Sequence, residues 1–408
     1  MLEQSQHKTE QPATQRNRVR LLALLVAMSG VGSLSLNILV PALPSLAMKF
    51  DADPAHVELT VSLYILGLAA AQLIFGPLSD RFGRRRVVLA GLALATVAST
   101  SAIFAGGIAS LVAWRVLQSL GASSGQTIGR AIIRDLYERD RAASMIGLVT
   151  SVVVLMPMAA PLIGGILDTL LGWEAVFVFS AALSVLVLAW AALALPETHK
   201  GTGERNRFRS DLRALAASPR FFGYALCAGL GSAPFFSFLG GAPHVVISML
   251  GRTSAEYGLW FFIPSLGFMA GNFIVSRVAT RLGIDMMIWW GITFTIAGAL
   301  LNVIVYIALP GWEMATIFLP QIVVGIGNGL LLPTAVAGAV SIRPQVAGTA
   351  SGMTGFIQMA ICAGAAQHSG YLVARASNAI PMLLLILIFG LATATAAAVL
   401  VRGRWRNS

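Results

Sequence analysis

Charge is what this chain has least of. Only 11% of its 408 residues are Asp, Glu, Lys or Arg, while 57% are hydrophobic. A water-soluble domain carries about 25% charged residues, so most of this surface must face something other than water. Cysteine is nearly missing, with only Cys227 and Cys362 in the whole chain. Both fall in apolar stretches without metal or redox spacing and read as buried free thiols. The five histidines, His7, His56, His199, His244 and His368, are scattered. No Ser/His/Asp arrangement or metal-ligand spacing accompanies them, which argues against an enzyme and against any bound metal or cofactor. Long polar segments are also lacking, which leaves no room for the soluble signalling module of a receptor.

What the chain has instead is a series of apolar runs of about 20 residues, each able to cross a hydrocarbon core of about 30 Å as a helix. They fall at 21–46, 59–78, 87–105, 109–129, 143–167, 173–195, 221–247, 256–276, 286–309, 314–339, 347–372 and 380–401. The expected fold is an all-α polytopic membrane protein with twelve transmembrane helices. Its partner is the lipid bilayer, and it is expected to be a monomer.

The net charge of +11 is explained by where the charges lie. With both termini on one side, that side holds 24 of the 28 basic residues, among them Arg81, Arg84, Arg85, Arg86, Arg130, Arg134 and Arg220. The other side holds Lys49, Arg252 and Arg375, and Arg115 falls within a span. Such an asymmetry places both termini in the cytoplasm. It also makes a nucleic-acid partner unexpected, because the basic residues are divided among short loops rather than gathered on one face.

The organisation reads as a cytoplasmic tail (1–20), a six-helix bundle (21–196), a polar cytoplasmic linker (197–220), a second six-helix bundle (221–401) and a short tail (402–408). Asp80-Arg81-Phe82-Gly83 is echoed 200 positions later by Thr280-Arg281-Leu282-Gly283, at the equivalent joint of the second half. Parallel repeats of this kind place a substrate between the halves near the midplane.

The joint between the second and third spans, Gly76-Pro77-Leu78-Ser79-Asp80-Arg81-Phe82-Gly83-Arg84-Arg85-Arg86, is dense in charge. It reads as a loop with a tight turn permitted by Gly76 and Gly83. Asp80 is placed to accept from a helix N-terminus or to pair with an arginine, as part of a conformational latch. Its spacing resembles the loop between helices two and three of the major facilitator superfamily of transporters. Arg115, Gln118 and Gly121 resemble the R-x-x-Q-x-x-G pattern of that superfamily's fourth helix. An arginine buried in a span costs at least about 2.5–3.5 kcal/mol, so it is expected to face a polar cavity; the alternative is a side chain reaching up to the headgroups. Pro157 through Gly165, with Pro161 and Gly164, resembles the end of the pattern marking drug:proton antiporters, with Ala160 where Gly is usual. The prolines are expected to bend the fifth helix and the glycines to let it pack closely. Val40-Pro41-Ala42-Leu43-Pro44, Arg134 to Arg139 and Leu195-Pro196-Glu197-Thr198 look like the bicyclomycin- and chloramphenicol-resistance (Bcr/CflA) branch of drug exporters.

The resemblance implies a major facilitator fold and export of small hydrophobic, drug-like compounds across a cytoplasmic (inner) membrane by alternating access, in exchange for protons. The alternative is carriage of a small metabolite, such as an amino-acid derivative or dipeptide. Substrate contacts are expected from Asn37, Arg115, Gln118, Gln126, Phe235, Phe238, Gln321, Asn328 and Gln358, with Gln321, Gly325, Asn328 and Leu332 on one helix face. A cavity with few polar groups suits amphipathic compounds better than sugars. Many relatives carry an aspartate where this chain has Asn37, and an amide cannot carry a proton. All 17 acidic residues fall in loops or near span ends, which leaves Asp80, Glu58, Asp168 and Glu174 as candidate proton carriers.

Overall fold

The structure, a computed structural model, describes residues 15–137, 145–146, 148–150, 152–153, 155–198, 215, 217–343 and 347–401. Residues 1–14, the C-terminal tail, most of the linker and, among the basic residues counted above, Lys8, Arg139 and Arg141 lie outside the described residues; 15–20, expected in the N-terminal tail, instead begin the first helix. All regular structure among the described residues is helical. In chain order it comprises α1 (Gln15–Asn37), α2 (Leu43–Phe50), α3 (Pro54–Phe82), α4 (Arg84–Ile103), α5 (Ile108–Leu136), α6 (Met156–Leu171) and α7 (Trp173–Ala194). The second half comprises α8 (Pro219–Pro243), α9 (Ser254–Leu282), α10 (Ile284–Ala308), α11 (Glu313–Phe318), α12 (Gln321–Ser341), α13 (Ala347–Ala374) and α14 (Ile380–Ala396).

The short α2 and α11 extend α1 and α12, so the helices make twelve crossings at the expected places. Among the described residues, nine are long and apolar enough to qualify as membrane spans by composition alone. Of the others, α5 and α13 are long but carry polar stripes with Arg115, Gln126 and Arg130, or Gln358 and Gln367, and α6 has 16 residues with part of the expected span 143–167 outside the described residues. Leu66, Ile74, Val97, Leu186, Ile304 and Leu391 are exposed on the outside of the molecule, an apolar surface made for lipid.

Local sequence sets the helix ends. Asp53 Oδ1 accepts from the Ala55 amide at 2.7 Å, with Pro54 in the first turn of α3. Thr253 and Glu256 form a reciprocal capping box on α9. The charged joint is tighter than the sequence suggests. Gly76 lies inside α3, which continues through Pro77 to Phe82, so Gly76 makes no turn. Gly83 alone reverses the chain, at φ 93°, and Gly283 does the same between α9 and α10 at φ 79°. The four-residue echo therefore marks one backbone device used twice. Helical residues 148–150 and 152–153 precede a turn at Leu155, so the fifth span is interrupted just before Pro157, which occupies the first turn of α6, and Pro161 is interior.

Within the first half, α5 packs on α1, α3 and α4, and α7 packs on α4 and α1; in the second, α8 and α12 occupy the middle of the group. The main contacts between the halves are α3 with α13 and α6 with α9. Near the arginine-rich end each half has its own apolar core. One is built around Leu25, Val88, Leu92 and Ile132, the other around Phe221, Tyr224, Ile288 and Ala339. At the opposite end a single core runs through both halves, including Ile38, Val61, Phe177, Phe238, Phe261 and Phe318. The halves are separate at one end and fused at the other.

Candidate functional site

Polar contacts between the halves gather at the fused end. Ser62 Oγ donates to Gln367 Oε1 at 2.8 Å, and Gln367 Nε2 donates to the Ala55 carbonyl at 2.8 Å. Ser254 Oγ donates to Asp168 Oδ2 at 2.6 Å, and the Ala255 amide donates to Thr169 Oγ1 at 3.2 Å. Arg375 lies 3.7 Å from Asp53 at the rim. Gly165 packs against the Ser254 carbonyl too closely for any side chain, while Gly164 packs as closely on the Ile38 carbonyl within the first half. Together these residues make a seam.

Between the halves, on the other side of this seam, lies a cavity of about 320 Å³. It is lined by Asn37, Gln126, Phe235, Phe238, Gln321, Asn328 and Gln358, all expected there, and by Pro157 from α6. The face of α12 carrying Gln321, Gly325, Asn328 and Leu332 lines it as the helical spacing requires. Hydrogen bonds fix some of these amides. Gln321 Nε2 donates to Asn302 Oδ1 at 2.6 Å, Gln358 Nε2 to Ser232 Oγ at 3.1 Å, and Asn37 Nδ2 to the Ser33 carbonyl at 2.8 Å. The Oδ1 atoms of Asn37 and Asn328 are buried without a hydrogen-bond partner. An unmet acceptor beside a cavity is a place for a ligand donor.

Arg115 and Gln118 are not in this cavity, contrary to expectation. Arg115 is 1% exposed and turns into the first half. Its Nη1 donates to the Ser35 carbonyl at 2.9 Å and to Gln118 Oε1 at 2.7 Å, and its Nε to the Thr60 carbonyl at 3.2 Å. The guanidinium lies 4.0 Å above the ring of Tyr64, and Gln118 Nε2 passes the chain on to Ser99 Oγ at 2.7 Å. The physical reason lies in α1. Ser35 is in its last turn, where carbonyls lack helical partners, and a five-donor guanidinium is a better match for them than a cleft of amides. The side chain also avoids the headgroups. Arg115→Ala removes the donor to three acceptors, so we expect stability to fall by about 3–5 kcal/mol with cavity-ligand affinity changing less than about threefold. Chemical denaturation and a binding titration on the same variant check both parts.

The charged joint forms a second cluster at the arginine-rich end. Arg84, 7% exposed, donates to Asp135 Oδ2 at 3.0 Å and to Ser79 Oγ at 2.6 Å, and pairs with Asp80. The N-terminus of α4 is capped by Glu197 rather than Asp80: Oε1 accepts from the Arg84 amide at 2.9 Å and Oε2 from the Arg85 amide at 3.1 Å. Arg85 reaches the Ala192 carbonyl at 2.7 Å, while Arg81 is exposed and stacks over Phe82 at 5.1 Å. These partners all belong to the first half, so in this conformation the cluster ties α3, α4, α5 and the end of α7 into one rigid unit.

The pattern described as Major Facilitator Superfamily matches residues 25–366 of the chain. The chain belongs to the major facilitator superfamily. That makes it a membrane carrier and not an enzyme. It is 29% identical over 348 residues to multidrug resistance protein D of Escherichia coli, covering 84% of this chain and 86% of that protein. It is 29% identical over 330 residues to the chloramphenicol resistance protein of Pseudomonas aeruginosa, covering 80% of this chain and 78% of that one. Among solved structures, a bacterial homologue of the lysosomal transporter Spinster, inward-facing and unoccupied, superposes with TM-score 0.73 at 17% identity. The match covers 97% of this chain and 100% of that one, and it bears on the fold alone.

Within this major facilitator fold, three cavity groups were not singled out by the sequence. Gln72 and Phe268 line the cavity from α3 and α9, and Arg130 lines it from α5. The spacing Gln126–Arg130 is one helical turn, a signal that placed both on one face, but the arginine counted only towards topology. Glu58 does lie near a span end, one turn into α3, but at 2% exposure it is buried.

Proposed function

We propose that this carrier exports hydrophobic, drug-like molecules across a cytoplasmic membrane by alternating access, in exchange for protons, and works as a single chain. The observation that carries the reading is a largely apolar cleft, floored by a two-sided seam and lying between halves whose cores are separate at the arginine-rich end. The arginine-rich end is taken as cytoplasmic by the charge asymmetry. The cleft then stands open to the cytoplasm in the loading conformation. Its volume suits one drug-sized molecule, and its phenylalanines with a few amides suit an amphipathic one better than a polar metabolite. The names of the two relatives point the same way.

Of the candidate proton carriers, Asp80 is paired with Arg84, Asp168 Oδ2 accepts from Ser45 and Ser254, and Glu174 is partly exposed in the first turn of α7. Glu58 is different. It is enclosed between the halves, with Gly370 of α13 packed directly on its side chain and its Oε1 without a partner. His244 shares the small recess around it, and the Asp53–Arg375 ion pair lies at the rim. A seam shut over an ionised, unpaired carboxylate costs several kcal/mol that a seam shut over the neutral acid does not. Glu58 is therefore the proposed coupling group.

Inside-out vesicles containing the protein are expected to accumulate chloramphenicol when energised and to lose it when the proton gradient is collapsed. Vesicles that take up only a polar dipeptide would overturn drug export. Accumulation that survives collapse of the gradient would overturn the antiport.

A further inference from the structure

Among its described lining residues the cleft has one charged side chain, Arg130, and no carboxylate. Arg130 is half-buried on α5, one turn from Gln126, and has neither an ion pair nor a hydrogen bond among the described residues. Arg134, a further turn along, is exposed and adds to the positive field at the mouth. The deeper polar groups are amides, which serve donors and acceptors alike, and the unmet Oδ1 atoms of Asn37 and Asn328 take a neutral donor. Nothing in the described lining compensates a cation.

We propose that Arg130 is an anion subsite, so that the cleft takes neutral and singly anionic amphipathic molecules and discriminates against lipophilic cations. The anionic head lies at Arg130 near the arginine-rich mouth, and the apolar body lies on Phe235, Phe236 and Phe268. This deepens, and rests on, the reading of the cleft as the export path. A guanidinium–carboxylate contact in a confined site is charge-assisted and bidentate, whereas an ammonium in the same place meets repulsion that no acid of the described lining offsets.

Three probes with one ring system, naphthylacetate, naphthylethanol and naphthylethylammonium, separate charge from hydrophobicity. Calorimetric titration of the purified full-length protein is expected to give acetate tighter than ethanol and ethanol tighter than ethylammonium, with roughly ten- to hundredfold between the extremes. Arg130→Gln is expected to weaken naphthylacetate about tenfold, leave naphthylethanol within about twofold and improve the ammonium. Arg130→Lys, which keeps the charge, retains the ranking, and unchanged naphthylethanol binding certifies that both variants are folded. Ethylammonium binding as tightly as acetate, or an equal loss of all three probes in Arg130→Gln, overturns the anion subsite. Vesicle transport of naphthylethanol separates the two claims. Transport with no charge ranking sinks the subsite alone. A ranking in binding without any transport sinks the export reading and leaves the subsite standing.

Discussion

Vesicles carrying Glu58→Gln are expected to accumulate no chloramphenicol above equilibrium, although the variant still binds it and still exchanges it across the membrane. With one proton exchanged per molecule, a gradient of one pH unit supports at most about tenfold accumulation, so the whole of that tenfold is at stake. The cycle follows from the geometry around Gly370. With the seam shut, loss of the proton towards the cleft leaves an unpaired charge between α3 and α13 and drives the halves apart at that end. The opened recess then admits water and a proton from outside, and the seam closes again over the neutral acid. Glutamine is a near-isostere that cannot ionise, so it keeps the seam packed and removes the trigger. Counterflow measured beside gradient-driven uptake tells this outcome from simple misfolding. Undiminished accumulation in Glu58→Gln would assign coupling elsewhere.

The second large effect is expected at Gly165. An added Cβ there meets the Ser254 carbonyl of α9, which is backbone and cannot rotate away. Gly165→Val therefore forces α6 and α9 apart where they hold the seam. Overpacking of this kind costs about 1–3 kcal/mol, and only the seam-closed conformation bears it, which shifts the balance of states roughly ten- to hundredfold. The accessibility of a cysteine introduced at Ser254 to an impermeant thiol reagent, added from outside to whole cells, is expected to rise by that factor. The native Cys227 and Cys362 are buried and give little background.

Much of this architecture was legible in the chain. Hydrophobic length alone located twelve crossings, because lipid leaves a backbone segment few options besides a helix. Helical spacing also identified the cleft face of α12, since Gln321, Asn328 and Leu332 share a stripe whatever that helix packs against. Spacing gives a side chain's direction on its own helix, however, and not which neighbour waits there. Arg115 shows the limit: it was expected to face the cleft, but the carbonyls of Ser35 and Thr60 and the ring of Tyr64 hold it inside the first half. Arg130 shows the converse, because a cation near a span end looks like a topology signal until it is seen to line the cleft. Gly76 was misplaced for a simpler reason, that α3 runs past the end of its apolar run to Phe82.

The most direct test joins the seam chemically. Cysteines replacing Ser62 and Gln367, whose side chains meet at 2.8 Å across α3 and α13, are to be linked by a short bifunctional thiol reagent and transport measured before and after reduction. The account predicts that the linked protein binds chloramphenicol but does not carry it, and that reduction restores export. Export at the full rate with the link intact would contradict the account, because the halves would then never need to part at that end.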